Sequence, residues 1–338
     1  MTRTAAIALT AGVSFFIALL AWQGFGAVVS ALYVAGWGLL LVAAFHLLPV
    51  VLDAAAIHVL ADTTRGRLHS MRDALLARWV GESVNSLLPA GQIGGPVLMV
   101  RHLAQLGTHS ADAAAIITVS TTMQTLAQVV FACLGVAVFG AYQAAHPDGR
   151  NLLVGLIAMI AVCAALLGVF YAAQRRGLFG RVARLFSRLV AGRDWSSLLA
   201  RADAADAAVH ALHGERRRVA WSFALSLAGW IVGTGEVWLA LQLIGHPVGW
   251  VDALLLESLG QAIRGAAFAI PGALGVQEGG YLLLAPLVGL PADAALALSL
   301  AKRAREILLG LPGLVYLHVA ERGWRRSASR LAVDRRCG

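Results

Sequence analysis

Residues 257–286 read ESLGQAIRGAAFAIPGALGVQEGGYLLLAP, and this stretch decides the fold. It is apolar enough to lie in a bilayer, yet it carries Glu257, Arg264 and Glu278 around a turn rich in proline and glycine, Pro271-Gly272-Ala273-Leu274-Gly275. Inside hydrocarbon, a backbone that leaves the helix is tolerated only where protein or a water-filled cavity covers it. Charged side chains at that depth cost roughly 2.5–3.5 kcal/mol each, so they mark pathways or pairs. A broken, charged segment is typical of a transporter's substrate site.

The composition predicts an all-α polytopic integral membrane protein. Hydrophobic residues make up 59% of the 338 positions and charged residues 13%, whereas soluble domains carry about 25% charged residues. The net charge is +9, and nearly all of the basic residues are arginines in loops beside apolar spans. Such arginines set the orientation of the spans and contact anionic lipid headgroups, so their position does not indicate nucleic-acid binding. The chain contains no HExxH, P-loop, GxSxG or CxxC motif, so the sequence predicts no metal, no cofactor and no catalytic residue.

Six apolar stretches are long enough to cross a bilayer of ~30 Å, namely residues 5–22, 32–57, 113–140, 152–173, 219–244 and 294–319. We expect the first to be a retained helix rather than a signal peptide. Arginine is dense at 62–78, 174–218 and 321–338, and the positive-inside rule places these segments, and both termini, in the cytoplasm. The loops between spans then lie on alternating sides of the membrane if the interrupted stretches near 74–100 and 251–290 are re-entrant hairpins. Two short full spans in each stretch would preserve the same orientation.

An internal repeat divides this single transmembrane domain (1–338) into halves at 1–150 and 151–320, followed by a basic tail at 321–338. A shift of 182 residues aligns Pro89 with Pro271 and Glu82 with Arg264. Since the two hairpins start from opposite faces, the halves have inverted topology, which is a recurrent architecture of secondary transporters.

Both hairpins are predicted to combine a polar helix face with a broken turn. Arg78, Glu82 and Asn85 share one face of the first helix, and Glu257, Gln261 and Arg264 share one face of the second. Proline removes a hydrogen-bond donor and glycine admits positive φ, so both interrupt helices. The predicted helix-breaking positions are Pro89, Gly91, Gly94, Gly95, Pro271, Gly272 and Gly275.

Further charges lie in the last predicted span, well before its end. Together with four charges of the two hairpins they make eight charged residues, and structural ion pairs are one interpretation of them. If unpaired, these eight charges would cost on the order of 20 kcal/mol. Their presence beside two broken helices favours a functional polar cavity. Glu278 directly follows the turn and is expected nearest to that cavity. Isolated polar positions in the apolar spans are His46, Asp53 and Glu236, and we expect the histidines to be contacts between helices. The span at 113–140 also has a polar face, formed by Thr118, Thr121, Thr125 and Gln128. The predicted pathway residues are Glu82, Asn85, Glu257, Arg264, Glu278, Lys302, Arg303, Arg305 and Glu306.

The basic segment at 174–218 contains an apolar repeat at helical spacing, with arginines between the apolar positions. Leu178, Val182, Leu185 and Leu189 form this repeat. The pattern fits an amphipathic helix lying on anionic headgroups. An ordinary topology determinant is the alternative.

The motifs Glu82-Ser-Val-Asn85, Leu88-Pro89-Ala-Gly91 and Ile270-Pro271-Gly272-Ala-Leu-Gly275-Val-Gln-Glu278 resemble the flippase-like family typified by the transmembrane region of lysylphosphatidylglycerol synthases. Residues 255–314 resemble its subfamily tied to hopanoid biosynthesis. Ala273 departs from the family pattern, in which many members have a second glycine. The sequence ends at Gly338 without the soluble aminoacyl-transferase domain of the full synthases, so the resemblance implies lipid movement rather than lipid aminoacylation.

These observations predict a lipid transporter of the bacterial inner membrane that moves a polar-headed lipid, a hopanoid or phospholipid, between leaflets. Glu82, Asn85, Arg264 and Glu278 would contact the headgroup or a coupling ion, and the charges of the last span would form the facing wall. One alternative is an integral membrane enzyme that modifies a lipid headgroup with Glu82 and Glu278 as acid and base. Another is a non-catalytic membrane partner of a lipid-biosynthesis enzyme.

Overall fold

A computed structural model describes residues 33, 36–61, 70–88, 91–143, 150–189, 196–267, 273 and 275–337. Within these ranges every regular element is a helix, which confirms the all-α prediction. The helices are α1 (Gly38–Leu60), α2 (Met71–Leu87), α3 (Gly91–Gln105), α4 (Ser110–Gln143), α5 (Arg150–Arg175), α6 (Leu178–Leu189), α7 (Ser196–Gly214), α8 (Arg216–Ile244), α9 (Trp250–Ala266), α10 (Val276–Leu284) and α11 (Ala292–Cys337), with a 3-10 turn at Ala285–Val288.

Three of the described helices are long and apolar enough to cross a membrane. They are α1, α8 and the Ser110–Ala141 part of α4, and they coincide with the predicted spans at 32–57, 219–244 and 113–140. The predicted spans at 152–173 and 294–319 lie within α5 and α11. The predicted span at 5–22 lies outside the described residues. The chain is therefore a helical membrane protein, as its composition predicts.

Two apolar clusters lie towards opposite ends of the bundle and leave a polar layer between them. Helix α1 contributes Val42 to one cluster and Ile57 to the other, and α4 likewise contributes Phe139 and Ile117. At 1.5 Å per residue, Val42 and Ile57 are about 22 Å apart along α1. His46 and Asp53 lie between them, so the polar layer is near the middle of the apolar helices.

The two interrupted stretches form helix pairs. Helix α2 begins at a capping box in which Ser70 and Asp73 exchange hydrogen bonds, and it ends before Leu88, whose backbone is extended. Since α3 begins at Gly91 and continues through Gly94 and Gly95, the prediction that Gly94 and Gly95 break the helix is wrong, whereas Gly91 lies at the start of the new helix. Pro89 lies outside the described residues.

The second break is marked by positive φ angles. Gly275, at φ 78°, precedes α10, as predicted for a helix-breaking glycine, and Ala273 has φ 48°. A side chain with a Cβ atom rarely adopts such a conformation. Ala273 therefore occupies a strained position at which glycine would be unstrained. Pro271 and Gly272 lie outside the described residues.

The helix boundaries follow the predicted offset between the halves. Helices α4 and α11 begin 182 residues apart, at Ser110 and Ala292, and the starts of α2 and α9, at Met71 and Trp250, are 179 residues apart. Helix α1 packs along α8, which is its counterpart. The first hairpin helix of each half packs against the last helix of the other half, α2 on α11 and α9 on α4. This reciprocal exchange is the arrangement that the predicted inverted repeat would produce.

Helix α6 is the predicted amphipathic helix. Val182 and Leu185 are exposed, whereas Ala183 is buried. The carboxylate of Asp206 in α7 accepts hydrogen bonds from the backbone N–H groups of Phe179 and Gly180 at 3.0 and 2.7 Å, which holds the start of α6 on the protein. The helix thus presents uncovered apolar side chains between its arginines.

Candidate functional site

A polar cavity of about 320 Å³ lies between the two helix pairs and helices α1, α4, α8 and α11. This volume is at the lower end of the range of small-molecule sites, roughly 300–1,000 Å³. Six of the nine predicted pathway residues line it, and they come from both halves of the chain: Glu82, Asn85, Glu257, Arg264, Arg305 and Glu306. From the predicted polar face of α4, Thr121, Thr125 and Gln128 also line it.

On the first hairpin, Arg78 links α2 to α1. Its Nη2 lies 2.8 Å from Asp53 Oδ2, and the same carboxylate oxygen accepts a hydrogen bond from Gln124 Nε2 of α4 at 2.7 Å. Glu82, one helical turn after Arg78, is 3.9 Å from the guanidinium. Asn85 Oδ1 accepts a hydrogen bond from the Gly95 N–H at 2.8 Å and so ties α2 to α3. Asn85 therefore holds the two arms of the hairpin together at the cavity.

His46 of α1 joins the first hairpin to the second half. Its Nε2 lies 2.7 Å from Glu82 Oε1 and its Nδ1 lies 2.6 Å from Glu236 Oε2. The Arg305 guanidinium contacts the same ring, and its Nη1 is 3.0 Å from Glu236 Oε2. Helices α1, α2, α8 and α11 thus meet at one imidazole.

Glu306 is the centre of the charges contributed by the second half. Its carboxylate lies 2.8 Å from Arg264 Nη1, 3.0 Å from Arg303 Nη1 and 3.5 Å from Arg305 Nη2. Arg264 belongs to α9 and the other two arginines to α11 itself. One buried carboxylate therefore contacts three guanidinium groups, two of which have a further carboxylate partner.

The Lys302–Glu257 pair is the most completely buried of the ion pairs that join the described helices. Lys302 is 1% exposed and Glu257 3%, and Nζ lies 2.5 Å from Oε2. Tyr281 Oη and Gln261 Nε2 donate to the same carboxylate at 3.4 and 2.9 Å. Lys302 does not line the cavity. Its position is that of a fixed link between α9 and α11.

Glu278 has a capping position instead of the expected position at the cavity. Its Oε2 accepts a hydrogen bond from the Gly275 N–H at 2.7 Å, which closes the first turn of α10. Its Oε1 accepts from Arg303 Nε at 3.1 Å and from Ser299 Oγ at 3.3 Å. Neither Glu278 nor Arg303 is among the cavity-lining residues. The expectation that Glu278 lies nearest to the cavity is wrong, because its oxygen atoms are taken up by the turn and by α11.

Helices α4 and α11, which both contribute to the cavity lining, differ in chemistry at positions related by the 182-residue shift, although Lys302 and Arg303 themselves lie outside the lining. A shift of 182 residues relates Ser120, Thr121 and Gln124 of α4 to Lys302, Arg303 and Glu306 of α11. The α4 wall therefore offers neutral hydroxyl and amide groups where its counterpart carries charges. The carboxylate atom Glu236 Oε1 and the guanidinium atom Arg78 Nε are buried at the cavity without a hydrogen-bond partner among the described residues. Such atoms are available to a polar ligand or to water.

The cavity lining also includes three residues that were predicted only as isolated polar positions, namely His46, Asp53 and Glu236. Each is isolated in an apolar span, so no periodic pattern marks it. The one sequence signal was the free energy that a charged residue in an apolar span costs on insertion into the membrane. In the described residues no group of histidine, cysteine, aspartate or glutamate side chains could hold a metal ion. The carboxylates of Glu82 and Glu236 bind opposite nitrogens of His46 and do not converge on one point.

Residues 5–313 match the family model described as "Lysylphosphatidylglycerol synthase TM region". The match covers most of the chain, including the whole cavity. No curated protein and no solved structure matches the chain.

Proposed function

We propose that this chain, which belongs to the lysylphosphatidylglycerol synthase transmembrane-region family, moves a polar-headed lipid between the leaflets of the membrane. The observation that carries the proposal is the polar cavity between the two hairpins, about 320 Å³ in volume and level with the middle of apolar helices. A lipid headgroup needs a hydrated or polar passage because it cannot cross hydrocarbon unassisted at low cost. Apolar helices around the cavity leave the acyl chains in lipid.

The lengths of the hairpin helices support a re-entrant arrangement. Helix α2 has 17 residues, α3 has 15 and α10 has 9, which correspond to about 25, 22 and 13 Å. All are shorter than a bilayer core of ~30 Å. We therefore propose six full spans and two re-entrant hairpins in inverted halves, with both termini cytoplasmic in a bacterial inner membrane.

The neutral wall of α4 bears on the headgroup. Ser120 and Thr121 offer hydroxyl groups that donate and accept hydrogen bonds, whereas the Gln124 amide is already engaged by Asp53 and Arg78. Such a wall suits a headgroup rich in hydroxyl groups. The resemblance of residues 255–314 to the hopanoid-associated subfamily makes a hydroxylated hopanoid the first lipid to test, and a phospholipid the second.

A lipid-modifying enzyme is the alternative, with Glu82 and Glu278 as acid and base. General acid–base catalysis requires both groups within hydrogen-bond reach of the reacting atoms. Glu278 is engaged by Gly275, Ser299 and Arg303 away from the cavity lining. This geometry favours transport over headgroup chemistry.

The test blocks the cavity without breaking an ion pair. Thr125→Phe places an aromatic ring in the cavity, and Val130→Phe on the exposed side of the same helix is the matched control. The purified proteins are reconstituted in vesicles containing a fluorescent hydroxylated hopanoid or phospholipid, and lipid movement is followed by quenching from outside. We expect Thr125→Phe to lose at least about tenfold in rate, equivalent to ~1.4 kcal/mol, with a normal melting temperature.

Two outcomes would contradict the proposal. One is equal lipid movement by Thr125→Phe and Val130→Phe. The other is a wild-type protein that moves neither lipid but changes the mass of a headgroup, which would favour the enzyme.

A further inference from the structure

The His46 ring is contacted by a carboxylate at each of its nitrogens. Glu82 lies 2.7 Å from Nε2 and Glu236 lies 2.6 Å from Nδ1, both distances of charge-assisted hydrogen bonds. A neutral imidazole has one N–H donor and one lone pair, and a carboxylate can only accept. Both contacts are therefore hydrogen bonds only if the three groups hold one proton beyond neutral histidine and two carboxylates.

The charges around the cavity require the same proton. Five lysine and arginine side chains of the described network face six carboxylates, so the network carries one excess negative charge when His46 is neutral. An imidazolium at His46 removes the excess. The five cations are Arg78, Arg264, Lys302, Arg303 and Arg305, and the six anions are Asp53, Glu82, Glu236, Glu257, Glu278 and Glu306.

The surroundings also provide partners for the deprotonated state. Arg305 contacts the His46 ring and lies 3.0 Å from Glu236 Oε2, so its guanidinium can donate to a bare Nδ1 and to Glu236 together. Arg78 lies 3.9 Å from Glu82 and can take over that carboxylate. Both protonation states thus have hydrogen-bond partners, and the proton can leave without isolating a buried charge.

We propose that His46, Glu82 and Glu236 form a proton-binding site, and that release of the proton is coupled to the movement of the lipid. The coupling rests on the proposed function, whereas the proton site does not. The proton is taken up from solvent and released to solvent through the cavity, which Glu82 lines with a quarter of its side chain exposed. Loss of the proton converts the His46–Glu82 contact between α1 and α2 from an ion pair to a hydrogen bond that a neutral imidazole donates to the Glu82 carboxylate. Because Glu82 is on α2, one of the links between the first hairpin and α1 weakens, whereas the Arg78–Asp53 pair remains.

Charged groups face His46 from three other helices and from α1 itself. Helix α4 contributes only neutral groups such as Gln124 at this level. The charged groups are Arg78 and Glu82 of α2, Glu236 of α8, Arg305 and Glu306 of α11, and Asp53 of α1.

The proton site is tested on the whole protein in detergent with 15N-labelled histidine. We expect one histidine to show two protonated ring nitrogens at neutral pH, and His46→Gln to remove that signal. His58→Gln on the same helix, outside the cavity lining, is the control and should leave it. If His46→Gln does not fold, Glu82→Gln provides the assignment, because it changes the hydrogen bond of the same ring. A His46 ring with one protonated and one bare nitrogen at neutral pH would overturn the site.

The coupling is tested in vesicles with a pH difference across the membrane. We expect the pH difference to change the rate of lipid movement by wild-type protein and His58→Gln by about fivefold or more, and to leave the rate of His46→Gln unchanged. Equal rates of wild type with and without the pH difference would overturn the coupling. A wild-type protein that moves no lipid under any condition would contradict the proposed function as well as the coupling, and the histidine spectrum would still decide the proton site.

Discussion

Removal of one partner from the Lys302–Glu257 pair should destabilise the protein far more than removal of both. At 2.5 Å and an effective dielectric constant of ~20, the Coulomb attraction between the two charges is about 7 kcal/mol. Most of this offsets the cost of burying them, which is several kcal/mol per ion. A single substitution leaves the cost of the remaining charge uncompensated.

We expect Lys302→Met to lower the free energy of unfolding by about 3–5 kcal/mol. The loss should fall at the lower end of this range, because the Glu257 carboxylate keeps its hydrogen bonds from Tyr281 and Gln261. Glu257→Gln should cost a similar amount because it leaves the ammonium of Lys302 buried. The double variant removes both charges, and its stability should return to within about 1.5 kcal/mol of wild type.

The free energy of unfolding is measured by titration with a denaturing detergent in mixed micelles, followed by circular dichroism. The matched control is the exposed pair of Arg184 and Asp203, at 3.2 Å with about half of each side chain accessible. Exposed pairs contribute about 0–1 kcal/mol, so Arg184→Met should have little effect. Equal losses for Lys302→Met and Arg184→Met, or a double variant as unstable as the sum of the single variants, would refute the reasoning.

Three further predictions concern the turn, the cap and the topology. Ala273→Gly should stabilise the protein by about 1 kcal/mol, since φ 48° is costly for alanine, and an unchanged or lower melting temperature would contradict the strain. Glu278→Gln should lower the free energy of unfolding by about 1–3 kcal/mol while folded protein moves lipid normally; normal stability without lipid movement would return Glu278 to the pathway. In sealed cells, Pro247→Cys should react with an impermeant thiol reagent and Ser196→Cys should not, and the reverse pattern would invert the proposed orientation.

The fold was largely predictable because membrane solvation imposes strong patterns. A bilayer requires long apolar helices, so α1, α4 and α8 follow directly from hydropathy. The 182-residue offset also appears in the helix starts at Ser110 and Ala292. The exact position of the first break was not predictable, since Gly91, Gly94 and Gly95 are compatible with a helix whose ends are fixed by neighbouring elements. Glycine permits a break but does not require one.

The site was predictable in part for a similar reason. Glu82, Arg264, Arg305 and Glu306 stand out because each belongs to a charged stripe. Glu278 is also charged, but its carboxylate accepts a hydrogen bond from the nearby Gly275 N–H and so caps α10. His46 was expected to be an ordinary helix contact. Its importance depends on Glu82 and Glu236, which are 36 and 190 residues away in the chain, and no local pattern reports such distances.

The number of partners that each buried carboxylate has distinguishes fixed links from contacts that could change under the proposed transport. Glu82, Glu236 and Glu306 each contact more than one cationic or ionisable group, and all three line the cavity. Each can therefore give up one partner and keep another. Among the described residues, Glu257 has a single cationic partner, Lys302, which lies outside the cavity lining.

This difference fits the proposed transport, in which a headgroup would have to enter without leaving a charge unpaired in the membrane. A buried charge that loses its only partner costs about 3–5 kcal/mol, whereas a carboxylate that exchanges Arg264 for Arg303, or His46 for Arg78, loses little. A headgroup that enters the cavity can thus compete for one partner at a time. The carboxylates with several partners lie where α1 and both hairpins meet, so the contacts that can change are also the ones that hold the hairpins in place.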